Sequence, residues 1–349
     1  MEYRRLGKTG LEISVVGFGS IGVRGTEAVR EMLVEGKKMG INYVDTARSY
    51  GRSEEVLGKA LKELRKDFYI CSRTQSRDYD KAEKDLATSL EMLQTDYIDI
   101  YQIHQLNNEE DLARVLRDDG VAPMLQKAKK DGRIRFTGFS SHHLDAAGQA
   151  VATGLFDTMV IPFSPVEYSA KHLQLLQICK NLDVGVVAMK PLSGGNFVNR
   201  VADTLSFILQ HDLASAITGT GRIEELRENA AAGANLRILN LAEFDSLMEE
   251  ASRLGRSFCR RCGYCLPCDE EIPIRDIMMS EAYIRGNANL VVMFGGAEGL
   301  KRFKEALERC TQCGQCVERC PYDLPIPELM PKKVTFFEEI LSQVTMGKS

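Results

Sequence analysis

The segment between residues 15 and 235 repeats one pattern eight times: a short apolar run alternates with a stretch that has helical periodicity. The apolar runs occupy residues 15–19, 43–46, 68–73, 97–104, 134–140, 158–163, 184–192 and 215–219. Because these runs are continuous and do not alternate with polar residues, we expect parallel strands that are covered on both faces. Eight strand–helix units in succession predict an α/β fold, the (β/α)8 TIM barrel.

A doubly wound α/β sheet is the alternative arrangement of the same units. It is disfavoured because no G-x-G-x-x-G motif, the mark of a dinucleotide-binding turn, opens the first helix. Residues 3–14 precede the first barrel strand and place Gly-Lys-Thr-Gly between two short extended runs. That pattern predicts a hairpin that closes the bottom of the barrel.

Eight of the ten cysteines lie in two dense runs near the C-terminus. The first run is Cys259, Cys262, Cys265 and Cys268, and the second is Cys310, Cys313, Cys316 and Cys320. Together with Pro321, the second run reads C-x2-C-x2-C-x3-C-P, the spacing by which bacterial ferredoxins bind [4Fe-4S] clusters. In that pattern three close thiolates hold one cluster and the fourth reaches the other. The predicted ligand sets are Cys259, Cys262 and Cys265 with Cys320, and Cys310, Cys313 and Cys316 with Cys268.

Zinc and disulfide bonds are the alternative uses of these thiols. Eight cysteines could hold two zinc ions, but zinc motifs usually pair two C-x2-C knuckles across a spacer. Disulfides between neighbours three residues apart would be strained, and thiols stay reduced in the cytoplasm. The first run departs from the ferredoxin pattern, because only two residues separate Cys265 from Cys268 and Pro267 stands before the last cysteine.

The segment between the cysteine runs has helical patterns over residues 274–308. This favours a small, mainly α-helical ferredoxin-like iron–sulfur domain over a compact βαβ ferredoxin. A further helix predicted at 241–254 leads into that domain. The expected domains are therefore a barrel over residues 1–237 and a linker helix with the two-cluster domain over residues 238–349.

The composition is that of an ordinary globular protein, with 349 residues, 44% of them hydrophobic and 27% charged, and a net charge of −4. This charge gives no reason to expect nucleic acid as a partner. No apolar run approaches the roughly 18 residues of a membrane span, so no membrane association is expected. Residues 1–14 lack the apolar core of a secretory signal, and we therefore expect a cytoplasmic protein.

Four polar side chains follow successive strands, at the rim where barrel enzymes carry their catalytic groups. They are Asp45, Tyr50, Arg73 and His104. Each residue alone has a structural explanation, such as a turn cap, a surface aromatic, a rim ion pair or a buried histidine. The convergence of an acid, a phenol, a cation and an imidazole on one rim instead predicts a catalytic site.

The sequence over residues 1–237 resembles the aldo-keto reductase family. The motifs that carry the resemblance are YVDTA at 43–47 with Tyr50, Gly51 and Glu54, TDYIDIYQIH at 95–104, GFSS at 138–141, KPLSGG at 190–195 and GTGRIEELREN at 219–229. Their order and spacing match the family throughout. The cysteine domain resembles the extension found in a subgroup of these enzymes, a C-terminal two-cluster [4Fe-4S] ferredoxin-type domain.

The resemblance implies a catalytic tetrad of Asp45, Tyr50, Arg73 and His104, in which Arg73 stands where the family has lysine. In the family, a nicotinamide delivers a hydride to a carbonyl while the tyrosine donates a proton, the cation stabilises the phenolate and the histidine orients the carbonyl. Arginine retains the charge of lysine but not its shape, and its fork can pair with both oxygens of Asp45. We therefore expect ordinary carbonyl reduction to be weak, or the site to be tuned to another reaction.

The resemblance also implies a nicotinamide site on the loops at the ends of the later strands. The implied residues are Ser140, Ser141, Met189, Lys190, Leu192, Gly194, Gly219, Gly221, Arg222, Glu225 and Asn229. Val160 stands where the family has glutamine, and Met189 where a tyrosine often stacks on the ring. NADP(H) is the expected nucleotide, and NAD(H) stays open because Glu225 stands where many relatives place an arginine against the 2′-phosphate.

Together these features predict an iron–sulfur oxidoreductase of the aldo-keto reductase type that acts on a small carbonyl or alcohol with NADP(H) or NAD(H). Its two clusters are expected to carry single electrons, with a ferredoxin-like or other redox protein as a partner. One alternative is a plain nicotinamide reductase whose clusters only stabilise their domain. Another is a catalytically weak protein that senses or transfers electrons, which Arg73 and Val160 favour.

Overall fold

A computed structural model of the chain describes residues 1–21, 23, 25–260, 263–286, 288–320 and 322–346. The predicted ligand Cys262 and the neighbouring Pro321 lie outside the described residues. The chain divides into two compact units, which are Met1–Pro191 with Arg200–Phe244, and Leu192–Asn199 with Asp245–Ser349. The second unit thus includes a short segment, Leu192–Asn199, that comes from within the barrel sequence.

The first unit begins with an antiparallel hairpin of two short strands, β1 (Tyr3–Arg5) and β2 (Glu12–Ser14). Eight further strands form a closed parallel barrel. They are β3 (Val16–Gly19), β4 (Tyr43–Asp45), β5 (Tyr69–Thr74), β6 (Ile98–Ile103), β7 (Ile134–Ser140), β8 (Thr158–Pro162), β9 (Gly185–Met189) and β10 (Ser215–Gly219). Each barrel strand pairs with its successor, and β10 pairs with β3 to close the ring. The predicted (β/α)8 barrel is confirmed, and the doubly wound alternative is excluded.

Helices follow the barrel strands and cover them. They are α1 (Thr26–Lys38), α2 (Ser53–Leu61), α3 (Tyr79–Leu93), α4 (Glu109–Val115), α5 (Val121–Lys130), α6 (Leu144–Ala152), α7 (Ala170–Asn181), α8 (Val201–Ile208) and α9 (Ile223–Ala234). Helix α1 shows why they form, because its buried residues Val29, Met32, Leu33 and Gly36 recur at helical spacing on one face. The next helix, α10 (Leu241–Gly255), contributes to both units.

The hairpin seals one end of the barrel. Leu6, Leu11 and Ile13 are at most 4% exposed and pack in one apolar cluster with the interior residues Tyr43 and Ile100. Gly7, which has a φ of 49°, lies so close to the start of β9 that a Cβ would come within 2.2 Å of the backbone nitrogen of Gly185. The hairpin therefore lies at the N-terminal end of the strands, as predicted, and leaves the C-terminal ends for the site.

Most predicted strand boundaries agree with the structure to within one residue, but β9 is shorter than expected. Its apolar run was expected to extend to residue 192, whereas the strand ends at Met189. The next residue, Lys190, has a φ of 57°, in the left-handed region, which no continuing strand can accommodate. The backbone conformation of Lys190 therefore ends β9 within a sequence that is otherwise apolar enough to continue.

The second unit is built from helices over its described residues. They are the end of α10, α11 (Ile274–Gly286), a 3-10 turn at Ala288–Phe294, α12 (Gly296–Glu308), α13 (Gln315–Glu318) and α14 (Ile326–Met346). Its core contains Phe303 and Phe337, both fully buried, with ring centroids 5.7 Å apart. The predicted α-helical character of this domain is confirmed. Among the helices that the structure describes, none combines the length and the hydrophobicity needed to cross a membrane.

Candidate active site and cluster-binding domain

Asp45 and Arg73 form a buried ion pair at the rim of the barrel. Asp45 is the last residue of β4 and Arg73 lies near the end of the adjacent β5. Arg73 donates from Nη1 to Oδ1 of Asp45 at 2.9 Å and from Nη2 to the second carboxylate oxygen, Oδ2. Arg73 is 2% exposed and Asp45 4%. Because both charges are removed from water, the pair depends on these two parallel hydrogen bonds.

Burial and charge act against each other on this pair. Burial is the largest single influence and acts to lower the pKa of Arg73, but the combined effects of Asp45, Cys71 and Tyr50 outweigh it, so the pKa lies well above the ordinary value. Burial raises the pKa of Asp45, and the guanidinium opposes that rise. Arg73 is therefore a permanent cation, as arginine generally is in proteins.

Gln102, which was not predicted from the sequence, completes the hydrogen bonding of Arg73. The Nε of Arg73 donates to Oε1 of Gln102 at 2.9 Å, and Nε2 of Gln102 donates to Oγ1 of Thr158 at 3.0 Å. Arg73 Nη1 also donates to the carbonyl of Thr46 at 3.1 Å. Strand alternation could have identified Gln102, because it lies two residues before His104 and shares its face of β6.

His104 directly follows β6 and meets Tyr50 in an edge contact. Their ring centroids are 5.8 Å apart and the ring planes are 79° apart. Nδ1 of His104 lies 3.1 Å from Oγ of Ser49, another residue that the sequence interpretation missed. Because Ser49 engages Nδ1, the Nε2 atom is the one available to a substrate. Tyr50 also lies within electrostatic reach of Arg73, so that cation can stabilise a phenolate.

His104 is held in its neutral form. Burial is the largest cause that lowers its pKa to about 3, and the nearby cations Arg73, Arg77 and Lys190 add to the effect. Arg77 is fixed in place because its Nη2 donates to Oδ2 of Asp111 at 3.0 Å and to the carbonyl of His104 at 3.1 Å. A neutral imidazole can orient a carbonyl by hydrogen bonding but is not a proton reservoir near neutral pH.

Lys190 brings a positive charge from the end of β9 toward the same site. Its Nζ lies 3.3 Å from Nδ1 of His142 on the loop after β7. The left-handed φ of 57° at Lys190 redirects the chain directly after the strand. Strained positions of this kind cluster at functional sites, and Lys190 was one of the residues predicted to bind the nucleotide.

Ser140 and Ser141, predicted to contact the nicotinamide amide, also organise the loops around them. Ser140 Oγ accepts from the backbone nitrogen of Gln105 at 3.0 Å, which leaves its own proton for a ligand. Ser141 Oγ donates to the carbonyl of His143 at 3.0 Å and lies 3.4 Å from Oδ1 of Asn107. Hydroxyl groups can hydrogen-bond to the carboxamide of a nicotinamide, so Ser140 and Ser141 fit this cofactor.

The residues predicted for the phosphate end of the nucleotide lie at the start of α9. Glu225 accepts from the backbone nitrogen of Gly221 at 2.9 Å and from Nε of Arg222 at 3.0 Å. A carboxylate thus occupies amide and guanidinium donors that would otherwise suit an anion. Gly219 ends β10, and Asn229 is buried on α9 with 3% exposure.

The other predicted nucleotide residues divide between the two units. Met189 ends β9 in the first unit, where Val160 is buried in the apolar interior of the barrel. Leu192 and Gly194 belong to the second unit, and Gly194 has a φ of 67°. This division between the units was not visible in the sequence, where all these residues belong to one continuous repeat pattern.

Four thiols of the predicted second ligand set converge in the second unit. They are Cys268, Cys310, Cys313 and Cys316, and they line one concavity together with Cys265 of the first set. Burial raises the pKa of Cys316, and the neighbouring charges of Cys310, Cys313 and Cys268 raise it further, as expected for thiols in close proximity. Within the described residues, no three His, Cys, Asp or Glu side chains close around a single metal ion. A shared concavity lined by these thiols fits a cluster, whose ligands surround a larger group.

The described cysteines of the first ligand set lie in or against the core of the same unit. Cys320 is 8% exposed and is part of that core, and Cys259 and Cys265 pack against it. These thiols are therefore in the apolar surroundings in which ferredoxin-type domains hold their clusters. The two cysteines outside the runs, Cys71 and Cys179, are buried in the barrel unit, and burial raises the pKa of each to about 12.

Comparison with known families decides the identity of the barrel. The model described as "Aldo/keto reductase family" matches residues 16–204. The chain belongs to the aldo/keto reductase family. The model described as "4Fe-4S dicluster domain" matches residues 258–325, so this aldo/keto reductase carries an iron–sulfur domain at its C-terminal end. The predicted family and the predicted cluster domain are both confirmed.

Individual relatives agree with this assignment. An uncharacterised oxidoreductase of Bacillus subtilis (strain 168) is 28% identical over 72% of this chain and 97% of its own length. L-galactose dehydrogenase of Arabidopsis thaliana is 29% identical over 73% of this chain and 96% of its own length. A putative aldo-keto reductase of Pseudomonas aeruginosa has a TM-score of 0.60 at 25% identity, covering 66% of this chain and 94% of its own. The protein is thus an iron–sulfur oxidoreductase of the aldo/keto reductase type.

Proposed function

We propose that this aldo/keto reductase reduces a small carbonyl compound, or oxidises the corresponding alcohol, with NADP(H) or NAD(H). The observation that carries the proposal is the edge contact of Tyr50 with neutral His104 beside the buried Asp45–Arg73 pair. An acid, a hydrogen-bonding imidazole and a fixed cation are the groups that carbonyl reduction needs at the reacting oxygen. The relative named L-galactose dehydrogenase also supports a hydroxyl-bearing substrate.

Each side chain has a defined part in this reaction. When bound, the nicotinamide supplies the hydride that forms the new C–H bond at the carbonyl carbon. Tyr50 donates its phenolic proton to the carbonyl oxygen, and His104 orients that oxygen through Nε2 while Ser49 holds Nδ1. Arg73 stabilises the phenolate that remains, since it lies within electrostatic reach of Tyr50 and cannot lose its own proton.

The second unit is proposed to hold two [4Fe-4S] clusters that carry single electrons. The convergence of Cys268, Cys310, Cys313 and Cys316 on one concavity supports a cluster on this ligand set. Cys313 is exposed, as a ligand should be where electrons pass to a redox protein partner. Reduced thiols and assembled clusters require a reducing compartment, so a cytoplasmic location is part of the proposal.

A purely structural role for the clusters is a second candidate, and one observation favours it. Cys320 is part of the hydrophobic core of its unit, and Cys259, Cys265, Cys268, Cys310 and Cys316 pack against that core. Binding a cluster would therefore tie together the centre of a small helical domain and contribute to its folding. The barrel would then act as a nicotinamide reductase on its own.

One experiment distinguishes the two roles. The full-length protein is purified without oxygen, and its visible and EPR spectra are recorded before and after addition of NADPH, and separately of NADH. Reduction of the clusters by a nicotinamide would establish one electron path between barrel and clusters. Reduction by dithionite alone, together with carbonyl reduction by the barrel, would support the structural role. Absence of iron would overturn the cluster proposal, and absence of turnover with any carbonyl or alcohol would overturn the reductase proposal.

A further inference from the structure

Gln315 on α13 and Arg319, directly after it, hold the segment that carries Cys268. Arg319, which follows α13, donates from Nη1 to the carbonyl of Pro267 at 2.8 Å and from Nη2 to Oε1 of Gln315 at 2.7 Å. Gln315 in turn donates from Nε2 to Oδ2 of Asp269 at 3.3 Å. The residues directly before and after Cys268 are therefore both bonded to the segment that carries the second cysteine run.

From these contacts we propose that Arg319 and Gln315 position Cys268 as the fourth ligand of the cluster held by Cys310, Cys313 and Cys316, and that the charge of Arg319 raises the reduction potential of that cluster. The inference rests on the proposed presence of clusters. It concerns positioning residues, because neither side chain is itself a ligand.

The spacing of the first cysteine run explains why such positioning is needed. Only two residues separate Cys265 from Cys268, where the ferredoxin pattern of the second run has three before Cys320. Cys268 is close in sequence to Cys265, which is assigned to the other cluster. The length of the chain alone therefore does not direct Cys268 to the cluster of the second run. Contacts on both sides of Cys268 supply that direction, since Gln315, between Cys313 and Cys316, bonds Asp269, and Arg319, after Cys316, bonds Pro267.

The charge of Arg319 acts on the same concavity. Arg319, Asp269 and Gln315 line it together with Cys265 and the four thiols of the second set. A cluster with four thiolate ligands becomes more negative when it accepts an electron, so a nearby cation stabilises the reduced form and raises the potential. Arg319 is exposed, so salt should screen this effect, whereas it should not loosen the hydrogen bond to Pro267 to the same extent.

The test uses the full-length protein purified without oxygen and four variants. Arg319→Gln removes the positive charge and the guanidinium that bonds Pro267 and Gln315 together. Arg319→Lys retains the charge but loses the guanidinium. Cys268→Ser is the reference for a lost ligand. Arg302→Gln is the matched control, because Arg302 lies on α12 in the same unit, where its guanidinium is over the ring of Phe303 and does not line the concavity. The measurements are iron content, EPR after brief exposure to air, and potentiometric EPR titration with dithionite, which adds one electron to each cluster.

The expected results separate positioning from charge. In air, both Arg319 variants should convert one of the two clusters to a three-iron form, which gives a growing EPR signal. Cys268→Ser should show the same change to a larger extent. Arg319→Gln should shift the potential of that cluster to a more negative value, and the shift should shrink at high salt. Arg319→Lys should retain most of the wild-type potential. The other cluster and the Arg302→Gln variant should stay unchanged, which provides the internal reference.

Two outcomes would overturn the inference. If both Arg319 variants retain two air-stable four-iron clusters, the contacts to Pro267 and Gln315 do not position Cys268. If Arg319→Gln leaves both reduction potentials unchanged at low salt, the charge of Arg319 does not raise the potential of the cluster. A wild-type protein without iron would instead refute the cluster proposal itself, so the two failures are distinguishable.

Discussion

Arg73 and Asp45 are joined by two parallel hydrogen bonds at the buried ends of the adjacent strands β4 and β5. The relationship explains why an arginine can replace the lysine that the family has at this position. A lysine is a point charge on a flexible stem, whereas the guanidinium bonds Asp45 with one edge and Gln102 with Nε. The cation beside Tyr50 is therefore fixed in direction, and its reach toward the phenol depends on this geometry.

The first prediction concerns the stability of this pair. Arg73→Met leaves the Asp45 carboxylate buried without a compensating positive charge, so the free energy of unfolding should fall by roughly 3–5 kcal/mol. The double variant Asp45→Leu with Arg73→Met should recover most of this loss, because it removes both charges. Urea unfolding of the anaerobic protein measures the difference. Equal losses in the single and double variants would show that packing of Arg73, and not its charge, is what matters.

The second prediction concerns proton donation by Tyr50. Tyr50→Phe removes the proposed acid while retaining the ring contact with His104, so kcat should fall by roughly 10²–10⁴-fold. Nucleotide affinity and iron content should stay within the error of the wild type. Tyr3→Phe is the matched control, because Tyr3 is 46% exposed on the hairpin at the opposite end of the barrel. A Tyr50→Phe enzyme with wild-type kcat would exclude Tyr50 as the proton donor.

The third prediction concerns stability in acid. Burial lowers the pKa of His104 to about 3 and that of His172 to about 4, both below the ordinary value of 6.5. Below pH 6.5 the unfolded chain binds protons at these histidines that the native state does not bind, so stability falls as pH falls toward 4. At pH 5 each histidine should cost about 2 kcal/mol relative to neutral pH. Unfolding free energies of the wild type and His172→Gln over this range measure the slope.

The wild type should lose more stability than the variant between pH 6.5 and pH 4. His172 packs against Phe163 and bonds Ser169 through Nδ1, outside the proposed catalytic group, so activity is a separate readout. Parallel pH profiles for the two proteins would mean that His172 is protonated in the native state too.

The fourth prediction concerns the choice of nucleotide. The Glu225 carboxylate lies at the start of α9, bonded to Gly221 and Arg222, where it would repel a 2′-phosphate. Glu225→Gln should therefore lower the Kd for NADPH by up to about tenfold, which is ~1.4 kcal/mol, and change the Kd for NADH much less. Glu224→Gln, an exposed residue of the same helical turn, is the control. Equal changes for both nucleotides would place the 2′ position away from Glu225.

The fifth prediction concerns loss of iron. Six of the described cluster cysteines lie in or against the core that contains Phe303 and Phe337, so chelation of iron should unfold the second unit. The barrel has its own interior core and should retain a separate thermal transition. Calorimetry with and without a chelator measures both transitions. A second unit that keeps its transition without iron would mean that its apolar core suffices for folding.

Much of the fold could be predicted because it depends on local patterns. The runs at 134–140 and 215–219 predicted strands with the observed bounds, since strands covered on both faces are rich in apolar residues. The end of β9 could not be predicted, because the left-handed conformation of Lys190 leaves no trace in hydrophobicity. The four rim residues were found because strand ends can be read from the same patterns.

The supporting side chains were not found for a different reason. Gln102, Ser49 and Asn107 matter because of what they bond: Arg73, His104 and the backbone nitrogen of His142, respectively. Those partners are distant in sequence, and an amide or a hydroxyl is common on any barrel. Only strand alternation, which puts Gln102 on the face of His104, offered a usable indication.

The sequence by itself determined the barrel, the cluster domain and the types of the reacting groups, because periodicity and cysteine spacing are local properties of the chain. Only the tertiary structure decided that Arg73 is bound by Asp45 and Gln102, that His104 stays neutral, and that Gln315 and Arg319 hold the residues on either side of Cys268. Hydrogen bonds, pKa values and ligand sets depend on burial and on distances between residues far apart in the chain. Those quantities exist only once the chain has folded.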